Sequence, residues 1–162
     1  MIENVSIHWI DLMNYYFGES IKSSYFPRLI SKNGTSYDTS LVTIEFKNGL
    51  VVSIFNSYAT SLTNNIIIIG TNGNITFDND FMQVFSPRDS FDDNGFFITP
   101  KCTIKTKFNF NSMNEESLQN SLNFFLLHVE NSEMFDVSDF NKSMISNRLV
   151  LNLEESFNQN IN

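Results

Sequence analysis

Apolar and polar residues repeat along this chain with two different periods, and the change of period marks out its elements. From Ser6 to Phe17 the apolar positions Ile7, Ile10, Met13 and Phe17, with Leu12 less well placed, recur at roughly helical spacing. Asn4 or Ser6 can cap this helix by accepting a bond from a free backbone N–H, and Gly18 suits the left-handed turn that ends one. From about Ser20 to Asn109 the pattern changes to strands. Ser40 to Phe46 alternates, Lys47-Asn48-Gly49 supplies a tight turn, and Leu50 to Tyr58 is predicted as the return strand. Further strands are predicted at Asn65 to Ile69, Asn74 to Phe77, Phe81 to Phe85, Phe96 to Thr99 and Cys102 to Phe110. The turns between them are Gly70-Thr71-Asn72-Gly73 and Asp78-Asn79-Asp80, and Pro87 to Gly95 forms a polar loop. The helical period returns over Glu115 to Glu130, where Leu118, Leu122, Phe125, Leu126 and Val129 share one face. Ser112 with Glu115 or Glu116 forms a capping box there. A last helix is predicted to open at Asp136-Val137-Ser138-Asp139, with Met144, Ile145, Leu149, Leu151, Leu153 and Phe157 as its apolar face.

The order is one helix, a run of strands, then two helices. That order predicts an α+β fold, an open and mainly antiparallel sheet with helices packed on one face. No internal repeat and no linker interrupts it, so residues 1–162 are expected to form a single domain.

Composition narrows the function. Hydrophobic residues make up 41% of the chain and include 17 Phe, enough for a packed core rather than disorder. The net charge of −8 has no offsetting basic stripe, which argues against nucleic acid and anionic membranes as partners. No apolar run approaches the ~20 residues a membrane helix needs. The start, Met-Ile-Glu-Asn-Val-Ser, lacks the basic segment and apolar core of a signal peptide. Cys102 is the one cysteine and cannot form an internal disulfide, and His8 and His128 lie far apart, so no metal site is expected. A reducing cytoplasmic setting is the simplest expectation. Asp89, Asp92 and Asp93 lack the spacing of an EF-hand and read as a solvated loop. His128, among Leu126, Leu127 and Val129, reads as a half-buried helix residue.

Two segments carry a resemblance. His8-Trp9-Ile10-Asp11-Leu12-Met13-Asn14-Tyr15-Tyr16-Phe17-Gly18-Glu19 is similar to the H-x-x-D-x-x-x-x-x-[FL]-G helix of the glucose–fructose oxidoreductase (Gfo/Idh/MocA) family. Leu122 to Phe157, with Phe124-Phe125, Val129-Glu130-Asn131, Ser138-Asp139 and Glu154-Glu155-Ser156, resembles that family's closing pair of helices. Between them, Val42 to Gly49 and Ile68 to Gly73 match its sheet hairpins. The resemblance is to the family's C-terminal domain. The G-x-G-x-x-G turn of the nucleotide-binding half and the Glu-Lys-Pro motif that supplies the catalytic lysine are both missing from this sequence.

The resemblance implies a function as well as a fold. It implies the substrate-binding and oligomerisation domain of an NAD(P)-dependent oxidoreductase acting on a sugar or nucleotide sugar, inactive by itself. NAD or NADP would be bound by a complete family member and not by this chain alone. Partners implied are a second copy, through sheet faces such as Ser40 to Phe46 and Leu50 to Tyr58, and a separate Rossmann-domain partner. His8 stands where the family places a catalytic histidine beside the substrate carbon that loses hydride. Oxidising an alcohol requires a base for the hydroxyl proton, and histidine titrates near neutral pH. Asn4 occupies the family's aspartate position four residues earlier. Asn can orient an imidazole but cannot take its proton. Trp9 and Tyr15 are candidates for stacking on a sugar ring. The competing expectation is a truncated, non-catalytic remnant or a binding and scaffold module.

Overall fold

The computed structural model describes residues 2–61, 63–78, 80–131 and 137–159. It divides into two compact units, residues 1–61 with 135–162, and residues 62–134.

The first unit opens on a π-helical turn, Ile2–Ser6, that runs directly into helix α1, Ile7–Phe17. Strands β1 (Ser20–Arg28), β2 (Thr39–Phe46) and β3 (Val51–Ser57) follow, and a closing helix returns to this unit after residues 62–134. The strands form an antiparallel sheet in the order β1-β2-β3. Alternation does what it should in β2. Ser40, Val42, Ile44 and Phe46 are buried, while Leu41, Thr43 and Glu45 on the other face are only partly covered. Val42 sits opposite Tyr25 and Ile54 in register. Against this face pack Ile2 and Ile10 from the first helical segment and Val150 and Leu153 from the last. Each fully buried aliphatic or Phe side chain contributes about 1.5–3 kcal/mol. The β2–β3 hairpin closes as expected. Gly49 takes a φ of 83° and its N–H donates to Phe46 O at 2.9 Å, while Asn48 Oδ1 accepts from Leu50 N at 3.0 Å.

The second unit holds β4 (Ile66–Gly70), β5 (Gly73–Phe77), β6 (Phe81–Phe85) and β7 (Cys102–Lys107), antiparallel in that order, followed by α2 (Phe110–Glu130). Gly73, at a φ of 133°, is forced: a Cβ there would lie 2.1 Å from Phe85 O. The closing helix of the first unit is α3, Val137–Gln159.

The structure is therefore α+β, with its strands divided between a three-stranded and a four-stranded sheet. Several local expectations are corrected. Phe96 to Thr99 is not a strand. Asp92 Oδ1 accepts from Asn94 N and Phe96 N, each at 2.9 Å, which bends the segment into a turn and leaves a bridge between Phe91 and Phe97. Cys102 to Phe110 ends as a strand at Lys107. Ser6 does not cap α1, because its hydroxyl is buried and accepts from Asn56 Nδ2 at 2.9 Å. Helix α2 begins five residues before Glu115 and is capped by Asn109, whose Oδ1 accepts from Ser112 N at 3.4 Å. On α3 the buried line is Ser146, Val150 and Leu153, whereas Met144 and Leu151 are exposed. The expected opening of the last helix includes Asp136, which lies outside the described residues.

Candidate functional site

Helix α1 has two faces with separate tasks. Ile2, Ser6 and Ile10 are fully buried, and Met13 packs beside them. Helical spacing puts His8, Asp11 and Tyr15 on the opposite face, with Asn4 one turn earlier. Asn4, His8 and Tyr15 are exposed and Asp11 is half-buried. The fold thus gathers three of the four candidate site residues along one exposed stripe. It does not add the fourth, because Trp9 is half-buried and packs against the core cluster. No hydrogen bond joins Asn4 to His8 among the described residues. The π-helical turn places the start of the helical segment at Ile2, so His8 sits a full turn inside it rather than at a free N-terminus.

Two contacts hold this helix in place. Asn14 Nδ2 donates to the buried Ser146 Oγ on α3 at 3.0 Å. Lys142 Nζ lies 5.6 Å from the centre of the Tyr15 ring, a cation–π contact that adds a positive charge to the end of the stripe. Tyr15 also meets Tyr16 edge-on, with ring centres 5.3 Å apart. Gly18 ends α1 as expected, with a φ of 80° and its N–H donating to Asn14 O at 2.9 Å.

A second cluster was not foreseen. Tyr25 on β1, Glu154 on α3 and Glu3 on the π-helical turn come together. Burial and then the charge of Glu154 push the Tyr25 hydroxyl up to about 12. Burial and then the charge of Glu3 hold the Glu154 carboxyl above its ordinary range. Phe157 bridges Tyr25 and Tyr37, with ring centres at 5.8 and 5.5 Å. A cleft of about 280 Å3 opens beside these rings, lined by Ser23, Ser24, Phe26, Asn152 and Ser156 among others. Its one legible signal was Phe157 at the end of an apolar helical face; β1, with polar Ser23 and Ser24 beside Tyr25, gave none.

The remaining candidates are accounted for locally. His128 is half-buried, stacks on Phe124 with ring centres 4.0 Å apart, and its Nδ1 lies 2.8 Å from Phe124 O. Cys102 is exposed and bonds Ile104 O through Sγ at 3.2 Å. Asp89 pairs with Arg88, and Asp92 caps its own turn. No three His, Cys, Asp or Glu side chains among the described residues are placed to hold a metal. No helix among them is long and apolar enough to cross a membrane. The described residues do not fit a dinucleotide either. Their sheets are antiparallel throughout, and Gly18, Gly49, Gly73 and Gly95, the glycines with positive φ, occupy turns or follow a helix rather than opening one.

Sequence comparison finds a family likeness in the first part of the chain. Residues 1–76 match the model of the GFO/IDH/MocA C-terminal domain. The match covers a little under half of the chain and makes that segment similar to the family's C-terminal domain. The stripe on α1 falls within the matched residues. Solved structures of similar fold extend the likeness over the rest of the chain. A candidate NADPH-dependent oxidoreductase from Desulfitobacterium hafniense superposes over 98% of this chain with a TM-score of 0.65 at 11% identity. The WlbA dehydrogenase from Chromobacterium violaceum, solved with NADH and UDP-GlcNAcA, covers 97% with a TM-score of 0.57 at 16% identity. A candidate oxidoreductase from Thermotoga maritima covers 96% with a TM-score of 0.56 at 15% identity. At these identities the likeness is one of fold. The chain spans 46%, 43% and 44% of those three proteins, less than half of each. Comparison with curated proteins gave no match.

Proposed function

We propose that this chain is the substrate-binding and oligomerisation domain of an NAD(P)-dependent oxidoreductase acting on a sugar or nucleotide sugar, and that it is inactive without a cofactor-binding partner. The observation that carries this reading is the stripe of exposed Asn4, His8 and Tyr15, with half-buried Asp11 between them, within the segment matched to the family. The nucleotide-sugar acid bound to the similarly folded WlbA dehydrogenase supports the substrate class.

The chemistry rests on this chain's own residues. His8 would accept the proton of a substrate hydroxyl as its carbon is oxidised. Asn4, lacking a charge, would orient the imidazole through its amide. Tyr15 offers a ring face to the sugar, and Lys142 above it a positive charge for an acidic group. A nicotinamide cofactor, held by the cofactor-binding partner, would supply the hydride acceptor.

Dimerisation would use the outer face of the first sheet. Register places Phe26, Leu41 and Phe55 side by side there, with Phe26 and Phe55 exposed.

A second reading is a non-catalytic binding module. It is favoured by Asn4 in place of aspartate, which leaves His8 without a charged partner. Calorimetric titration of a nucleotide-sugar acid into the chain and its His8→Ala variant tests the first reading. Binding weakened by the substitution supports it. Equal binding by both chains favours the module, and no binding by either removes the substrate assignment.

A further inference from the structure

Four of the six glycines follow an asparagine: Asn33-Gly34, Asn48-Gly49, Asn72-Gly73 and Asn94-Gly95. Such a pair can react with itself. The main-chain nitrogen of the glycine attacks the side-chain carbonyl carbon of the asparagine, and no Cβ on the glycine stands in its way. Attack needs two freedoms. The glycine N–H must leave its hydrogen bond and lose its proton, and the asparagine side chain must swing onto its own backbone. The fold grants these freedoms unequally.

Three of the pairs are held. Gly49 N donates to Phe46 O at 2.9 Å, and the Asn48 side chain is tied down as well, its Oδ1 accepting from Leu50 N at 3.0 Å. Gly73 stands opposite Gly70 in the β4–β5 ladder. Asp78 N donates to Phe81 O across the next turn, which points the Asp78 backbone at β6. Alternation along β5 then points the Gly73 N–H at β4, inside the ladder. Gly95 N donates to Asp92 O at 3.0 Å, and the Asp92 carboxylate fixes both sides of it by accepting from Asn94 N and Phe96 N at 2.9 Å each.

Asn33-Gly34 lies in the loop between β1 and β2. Asp38 ties the ends of this loop together through Ile30 N, Ser31 N and the Ser31 hydroxyl. Among the described residues, the bond from Gly34 N to Ser31 O is the one backbone hydrogen bond made within residues 32–36. At 3.3 Å it is longer than the corresponding bonds of Gly49 and Gly95. The Asn33 side chain is exposed and has no hydrogen-bond partner among the described residues. Both freedoms are present here and at none of the other three pairs.

We propose that Asn33 is a site of spontaneous modification in the folded chain, passing through a cyclic imide to aspartate and isoaspartate while the other three Asn-Gly pairs are protected. Gly34 N gives its proton to base in the solvent and bonds to Asn33 Cγ. The Cγ–Nδ2 bond breaks, and the nitrogen leaves as ammonia after taking a proton from solvent. Water then opens the ring at either carbonyl. The balance is water in and ammonia out, with an amide become a carboxylate. Isoaspartate lengthens the main chain by a carbon inside the loop that Asp38 closes, and either product adds a negative charge to that loop. The site is independent of the oxidoreductase reading.

Timed incubation of the folded chain at mildly alkaline pH tests it. Samples are digested at acid pH, where the reaction is slow, and read by peptide mass and by isoaspartyl methyltransferase labelling. A parallel incubation in urea gives the rate of each pair without structure. The expected result in the folded chain is product at Asn33 forming at least about tenfold faster than at Asn48, Asn72 or Asn94, the factor that an opening cost of about 1.4 kcal/mol at those turns would give. In urea the four rates should converge, and Asn33→Gln should abolish the product in its peptide. Equal rates at all four pairs in the folded chain would overturn the proposal. So would a faster reaction at Asn48, Asn72 or Asn94, or an Asn33 that reacts only in urea or not at all.

Discussion

The side-chain amide of Asn14 donates to the buried hydroxyl of Ser146 at 3.0 Å, joining α1 to α3 across 132 positions of sequence. This bond fixes the helix that displays His8. The Oδ1 of Asn14 is buried with no hydrogen-bond partner among the described residues, so the pair has little tolerance for change. Ser146→Ala should cost about 1–3 kcal/mol, because it leaves the Asn14 amide unsatisfied as well. A double-mutant cycle with Asn14→Ala, read by urea unfolding, should return a coupling of about 0.5–1.5 kcal/mol. A coupling near zero would mean that α1 is held by apolar packing alone.

Phe46 is fully buried at the end of β2 and meets Phe17 with ring centres 5.8 Å apart. Phe46→Ala should destabilise the first unit by about 3–5 kcal/mol. Val51→Ala, at an exposed strand position, should stay within about 0.5 kcal/mol. The two denaturation midpoints check the assignment of inner and outer sheet faces directly.

The Tyr25 and Glu154 cluster predicts two pH effects of the same sign. The Glu154 carboxyl is raised in the folded chain by burial and then by Glu3, so the folded state holds its proton more tightly than the unfolded state. Its stabilising contribution is full below the ordinary carboxyl value of 4.5 and is lost as pH rises through the folded value. Glu154→Gln should therefore flatten stability against pH over that window. Tyr25 behaves likewise at the alkaline end. Its contribution is present below 10.0 and is lost as pH climbs toward about 12. Of the five tyrosines, one should give a late phenolate absorbance step near that value, absent from Tyr25→Phe.

Asp38 organises the loop between β1 and β2. Its carboxylate accepts from Ile30 N, Ser31 N, the Ser31 hydroxyl and the Thr39 hydroxyl. The bonds from Ser31 and Ile30 hold it well below the usual carboxylate range. Stability from this group is present above the ordinary value of 3.8 and is lost as pH falls through the lowered one. Asp38→Ala should speed proteolytic cleavage between Leu29 and Tyr37 while leaving the β2–β3 hairpin protected. Unchanged cleavage would show that the loop is ordered by other contacts.

The legible parts of this fold were those where one physical signal dominates. The alternation of Ser40 to Phe46 and the Asn48-Gly49 turn gave the central hairpin, because burial on one face and positive φ each leave a mark on residue type. Strand β1 was not assigned residue by residue, since Ser23, Ser24 and Pro27 carry no alternation and are covered only by tertiary packing. Phe96 to Thr99 misled because its apolar residues follow a turn closed by the carboxylate of Asp92, four residues before Phe96. For the site, the spacing of Asn4, His8, Asp11 and Tyr15 was enough to place them together once a helix was assumed. Trp9, adjacent to His8, turns inward, as one residue of helical rotation demands. The Glu3, Tyr25 and Glu154 cluster joins three elements distant in sequence, and no local pattern could reveal it.

The most direct test of the central claim is backbone NMR mapping of ligand binding. Amide resonances of the 15N-labelled chain would be followed while a nucleotide-sugar acid is added. The account predicts progressive shifts centred on Asn4, His8, Asp11 and Tyr15, reduced in His8→Ala. Shifts confined to the cleft around Ser24, Asn152 and Phe157, or no shifts at all, would contradict it.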